Sequence, residues 1–119
     1  MNAFLAVFIG GGLGSVVRYS IGLSLARMGS HFVLSTLISN VLASLLLAMI
    51  VVHFIPKSPH VAWLHPLLVV GFCGGFSTFS TFSADTFRLI EQQQWLFAFG
   101  NILVNVAICF LAIYLVMKK

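Results

Sequence analysis

Apolar positions run along this chain in four long blocks separated by short polar gaps. The blocks are Phe4 to Leu25, Phe32 to Ile55, Ala62 to Phe82 and Trp95 to Met117. Each meets the roughly 20 mainly apolar residues that a helix needs to cross the hydrocarbon core of a bilayer. The pattern predicts an all-α membrane protein with four transmembrane helices, a single unit over residues 1–119. The gaps, Ala26 to His31, Pro56 to Val61 and Ser83 to Gln94, leave no room for a soluble domain. The first block lacks a basic leader and exceeds the roughly 7–15 apolar residues of a secretory signal, so it is expected to be a span. Its glycines, Gly10, Gly11, Gly12, Gly14 and Gly22, suit close helix packing.

The third block is interrupted. It reads Gly71-Phe72-Cys73-Gly74-Gly75-Phe76-Ser77-Thr78-Phe79-Ser80-Thr81-Phe82. Adjacent glycines followed by hydroxyl residues weaken a helix. At membrane depth, irregular backbone survives only where protein or a cavity covers it. The freed carbonyls need partners. A cation is one candidate, because carbonyl oxygens replace its hydration shell; a kinked helix whose hydroxyls bond back to the backbone is the other. Phe79 and Phe82 are three apart and share a face. Their positive ring edges suit an anion, although lipid or core packing accounts for the spacing equally.

Polar residues inside the other blocks narrow the chemistry. Thr36, Asn40 and Ser44 recur at i, i+4 and i+8, so they line one helical face. Such a stripe avoids lipid and either glues helices together or lines a path. Asn101 and Asn105 repeat the device in the fourth block, again as packing or pathway. Arg18 is the one charge deep in a block; it either snorkels to the interface or attracts anions in an aqueous vestibule.

Composition agrees with lipid as the solvent. Of the 119 residues, 61% are hydrophobic and only 7% charged, against roughly 25% charged in soluble domains. The net charge of +4 comes from scattered basic residues and is no nucleic-acid footprint. Cys73 and Cys109 read as small buried hydrophobes. His31, His53, His60 and His65 fall near block ends and form no i, i+4 ligand pair.

Basic residues barely favour one orientation. Lys57, Lys118 and Lys119 fall on the side of the N-terminus, Arg27 and Arg88 on the other. Either other factors orient the chain or it inserts both ways and pairs antiparallel, with a two-fold axis in the membrane plane. Asp85 and Glu91, the only carboxylates, fall in the predicted third connection. With no acid expected inside a span, proton-coupled transport is disfavoured. No nucleophile–base pair, phosphate loop or redox motif is present, so no enzyme is expected.

Three segments together resemble the CrcB/Fluc fluoride channels over nearly the whole chain. They are Gly10 to Tyr19 (GGGLGSVVRY), Ser35 to Asn40 (STLISN) and Gly71 to Phe82 (GFCGGFSTFSTF), the last the most specific. The resemblance implies a dual-topology antiparallel homodimer in the bacterial inner membrane. It implies two fluoride pores, each built from both subunits. It also implies a structural sodium ion, not transported, held at the dimer centre by the backbone carbonyls of Gly74 and Ser77 in the break of the third helix. The pore phenylalanines match Phe79 and Phe82, the pore asparagine matches Asn40, the vestibule arginine matches Arg18, and the hydroxyl track maps onto Ser80 and Thr81. Ser77 stands where the family usually has threonine, and Asn101 and Asn105 stand where many relatives use tyrosine or serine.

The implied activity is passive export of fluoride, which lowers its concentration in the cell and confers resistance. Asn40, the hydroxyls and the ring edges replace the ion's water in a narrow path. Two alternatives are a small dual-topology cation exporter, which needs an embedded acid, and a membrane scaffold without transport.

Overall fold

The computed structural model describes residues 1–29 and 31–118. Lys119, counted above in the charge balance, lies outside the described residues. Helix α1 spans Ala3–Arg27 and α2 spans Phe32–Met49, continuing in π-helical turns over Ile50–Phe54. The third span has two arms. The first is π-helical over Pro66–Cys73 and ends in a single α turn, α3, Gly74–Phe76; the second is α4, Phe79–Glu91. Helix α5 spans Trp95–Met117. Four helices, Ala3–Arg27, Phe32–Phe54, Pro66–Glu91 and Trp95–Met117, are long and apolar enough to cross a membrane. The chain is a multi-pass membrane protein.

Local chemistry sets the ends. Asn2 caps α1 by accepting the N–H of Phe4 at 2.8 Å, and His31 accepts the N–H of Val33 to start α2. Pro66 opens the third span, where its missing N–H costs nothing. Gln93 takes a left-handed φ of 59° between α4 and α5, and the N–H of Gln94 reaches back to the Leu89 carbonyl at 2.8 Å. This closes α4 sharply and lets α5 begin at Trp95.

The third span departs from the sequence expectation. Its helix does not end at Phe82. It runs nine residues further, to Glu91, and the predicted connection Ser83 to Gln94 shrinks to Gln92–Gln94. Hydropathy falls after Phe82 because Ser83, Asp85, Thr86 and Arg88 are polar, yet α4 remains amphipathic. It buries Phe82, Asp85, Thr86 and Leu89, at i, i+3, i+4 and i+7, on one face.

Helix α1 packs along the first arm of the third span, the most extensive helix contact in the molecule. Two small-residue pairs mesh there, Gly10 with Gly14 and Gly71 with Gly75. A Cβ at Gly10 would overlap the carbonyl oxygen of Leu67, one at Gly14 that of Phe72, and one at Gly75 that of Gly11. In lipid, where burial of apolar surface drives little, such backbone proximity supplies the attraction. It also holds Arg18, one turn beyond Gly14, against the end of the first arm. Helix α2 packs on α5 and closes the other side.

Candidate functional site

The break is two residues long. Ser77 (φ −83°, ψ 156°) and Thr78 (φ −152°, ψ 122°) are extended between the two arms. The ψ of Ser77 stops the first arm. Thr78 starts the second by capping it, its Oγ1 accepting the N–H of Thr81 at 3.2 Å. Polar side chains from α1 and α2 reach in to occupy the opened backbone. Asn40 Oδ1 accepts the N–H of Thr78 at 2.9 Å, and Arg18 Nε donates to the carbonyl of Gly75 at 3.0 Å. Ser77 turns back on the first arm, with both its N–H and its hydroxyl donating to Cys73 O at 3.0 Å.

These bonds leave a specific residue of unmet acceptors. In an unbroken helix the N–H of Thr78 would serve the carbonyl of Gly74, and that of Thr81 the carbonyl of Ser77. Both amides are engaged elsewhere, by Asn40 and by the Thr78 hydroxyl. The extended pair releases the carbonyls of residues 74–77 from the helical ladder; Arg18 takes that of Gly75, and Gly74 and Ser77 line one cavity of about 230 Å³ with Ser44 and Cys73. A donor set of neutral carbonyls suits a hard monovalent cation. Among the described residues, no group of three or more His, Cys, Asp or Glu is placed to hold a metal.

The expected anion residues other than Ser80 divide between two further cavities. One, of about 270 Å³, is lined by Asn40, Ser44, Ser77, Phe79, Phe82 and Asn105, among others, and by no charged group. The rings of Phe79 and Phe82 lie 5.6 Å apart at 50°, within the range of paired aromatics. Phe82 is buried, whereas Phe79 is 77% exposed. The second, of about 330 Å³, is lined by Arg18, Tyr19, Ser35, Thr36 and Thr81. Thr78 lines both. Ser80 is exposed, its hydroxyl 3.1 Å from that of Thr78. Arg18 faces the second cavity while bonded to the broken helix.

The polar stripe of α2 turns toward the third span and, at Asn40, toward α5 as well. Thr36 donates to Asp85 Oδ2 at 2.6 Å, Asn40 bonds the break, and Ser44 faces two cavities. Thr36 and Asn40 are each glue and cavity wall together. Asn101 and Asn105 are buried. Asn105 faces the cavity beside Asn40, and Asn101 bonds Thr86 Oγ1 at 2.9 Å.

Asp85 is a correction. It was expected in a connection, yet it lies inside the third span and is buried, 5% exposed. The absence of an embedded acid is therefore no argument against coupled transport. From sequence, Asp85 falls in a connection, and Thr86 and Thr78 carry no role of their own. The first two follow Phe82 at i+3 and i+4, a signal that becomes readable once the helix is continued through Ser83.

A family model described as CrcB-like protein, Camphor Resistance (CrcB), matches residues 5–117. The chain belongs to the CrcB-like family. It is 40% identical over 107 residues to "Fluoride-specific ion channel FluC 1" of Yersinia pestis, covering 89% of this chain and 84% of that protein. It is 40% identical over 111 residues to "Fluoride-specific ion channel FluC" of Coxiella burnetii (strain CbuK_Q154), covering 92% and 89%. A Shewanella channel of the same name is 38% identical over 117 residues, covering 97% of this chain and 93% of its own. These relatives are named as ion channels, a class that transports rather than catalyses.

Proposed function

We propose that this chain is one subunit of a fluoride-selective channel that lets fluoride leave the cell passively across the bacterial inner membrane. The observation that carries the reading is the uncharged cavity at the helix break, where Asn40 meets the Phe79–Phe82 pair, in a chain related to proteins named as fluoride channels. Fluoride is small and strongly hydrated. Its water is replaced by the amide N–H groups of Asn40, by the hydroxyls of Thr78, Ser80 and Thr81, and by ring edges. Arg18 raises the anion concentration in the neighbouring vestibule. No acidic, basic or histidine side chain lines the cavity that holds the phenylalanines, which supports passive flow rather than coupling through Asp85.

The working unit is an antiparallel homodimer inserted in both orientations. Phe79 and Ser80 are exposed on the subunit at the level of the break, and a hydroxyl beside lipid is costly. A second copy would cover them and complete each pore. Near-balanced basic residues favour neither orientation. The released carbonyls of Gly74 and Ser77 would hold a structural sodium ion, whose charge would offset two acceptors without helical donors.

Purified protein in liposomes tests the function. Fluoride efflux well above that of protein-free vesicles is expected, without ATP or a proton gradient. Efflux equal to empty vesicles would return the chain to the scaffold reading. Efflux that appears only with an opposing proton gradient would favour coupled exchange through Asp85.

A further inference from the structure

A chain of buried amides leads away from the pore asparagine. Asn40 Nδ2 donates to Asn105 Oδ1 at 3.3 Å. Asn105 Nδ2 donates to the side-chain oxygen of Asn101 at 2.7 Å and to its main-chain carbonyl at 3.1 Å. Asn101 Nδ2 donates to Thr86 Oγ1 at 2.9 Å, and the Thr86 hydroxyl donates to the carbonyl of Phe82, also at 2.9 Å. The chain thus crosses from α2 to α5 and ends on α4, at the main chain of one pore phenylalanine. Asn101, Asn105 and Thr86 are all buried, so water competes little for the links among them, whereas the Asn40 link is part-buried.

The sense of every link is determined. An amide side chain can be turned over, exchanging its oxygen and its NH2. Here each end meets a group of one kind only. The N–H of Thr78 only donates, so Asn40 must present Oδ1 to it and NH2 toward Asn105. The main-chain carbonyl of Asn101 only accepts, so Asn105 must present NH2 to it and Oδ1 toward Asn40. The carbonyl of Phe82 only accepts, so the Thr86 hydroxyl points its hydrogen there and offers its lone pair to Asn101.

Asn105 consequently has no N–H for an anion: both are committed to Asn101. Asn40 differs. Its oxygen is held firmly at 2.9 Å, but its NH2 reaches acceptors only at 3.3 Å and at 3.5 Å, the latter the Thr78 carbonyl. Good N–H···O bonds centre near 2.9–3.0 Å. The long contacts are the ones an anion would displace.

We infer that Thr86, Asn101 and Asn105 are positioning residues that hold Asn105 Oδ1 in place beside Asn40, so that the Asn40 NH2, whose sense the Thr78 amide sets, stays aimed along the anion path. The inference rests on the fluoride-channel reading. Asn105 shares the cavity wall but acts through Asn40. Thr86 and Asn101 act from outside that cavity, and they register Asn40 against the main chain of Phe82. Cutting the ladder lets Asn105 shift, and the Asn40 NH2 then loses the acceptor that aims it at the ion path.

The test uses liposome fluoride efflux of the full-length protein, with thermal stability and elution volume in detergent measured alongside. Wild-type efflux above empty vesicles is the first readout; its failure sinks the channel reading itself. Given wild-type efflux, Thr86→Val, which keeps shape and removes the hydroxyl, should slow flux about tenfold at unchanged elution, roughly the loss of one well-placed interaction at the barrier. Thr86→Ser keeps both the donor and the acceptor and should conduct within about twofold of wild type by the same measure. Asn101→Leu cuts the ladder one link nearer Asn40 and carries the same expectation as Thr86→Val, including where the valine variant does not fold. The double variant should lose no more than either single one, because the links form one chain. Wild-type flux in Thr86→Val or Asn101→Leu, equal losses in Thr86→Ser and Thr86→Val, or losses that multiply in the double variant would each overturn the inference while leaving the channel intact.

Discussion

Arg18 donates from Nε to the carbonyl oxygen of Gly75 at 3.0 Å, joining residues 57 positions apart. The bond attaches the only deep cation of α1 to the end of the first arm, one residue before Phe76 and two before the extended segment. It also fixes where the guanidinium stands relative to the Thr36–Thr81 cavity. Lysine lacks the Nε donor and the planar fork. Arg18→Lys should keep the charge yet slow fluoride efflux by about tenfold, the equivalent of ~1.4 kcal/mol at the barrier. Liposome flux checks this: undiminished efflux in Arg18→Lys would mean that charge alone matters.

The glycine seam predicts a stability effect separate from transport. A methyl group at Gly14 would overlap the carbonyl of Phe72. Gly14→Ala should destabilise the subunit by about 1–3 kcal/mol, as overpacking does. Gly12, with nothing near its would-be Cβ, is the control. Thermal unfolding in detergent should separate the two alanine variants clearly.

Thr36 and Asp85 form a buried pair at 2.6 Å. Removing the hydroxyl leaves a buried carboxylate without its donor. Thr36→Val should therefore cost about 1–3 kcal/mol. Asp85→Asn, which can still accept from Thr36, should be milder. A Thr36→Val protein as stable as wild type in chemical denaturation would show that water or a partner subunit serves Asp85 instead.

The ring pair gives a transport prediction. Phe82 is buried against the cavity, with its carbonyl bound by Thr86. Phe82→Ile removes the positive ring edge while keeping most of the bulk. Flux should fall by about tenfold or more, with elution of the assembly unchanged. Undiminished efflux would take Phe82 off the ion path.

The released carbonyls predict an ion requirement for stability. If Gly74 and Ser77 hold sodium, replacing it with a large organic cation should lower the unfolding temperature, and restoring sodium should raise it again, the stabilisation by mass action being about 2.7 kcal/mol at a hundredfold excess over the dissociation constant. Identical melting curves in both salts would remove the ion from this site.

Four apolar blocks were enough to determine four spans and a lipid environment, because a helix in hydrocarbon must carry its apolarity in its own residues. The interruption at Gly74 to Phe82 was equally legible, since glycine pairs and hydroxyl runs oppose a helix locally. The signature there also carried the family. What sequence could not place was α4 beyond Phe82. Its polar residues look like a connection until tertiary packing turns Asp85, Thr86 and Leu89 inward against α2 and α5. Only the tertiary structure decided that Asn40 caps the Thr78 amide, that Arg18 takes the Gly75 carbonyl, and that Asn101 and Asn105 belong to one ladder. Hydrogen bonds between distant helices depend on rotation and depth within the bundle, and spacing along one helix fixes only which residues share a face.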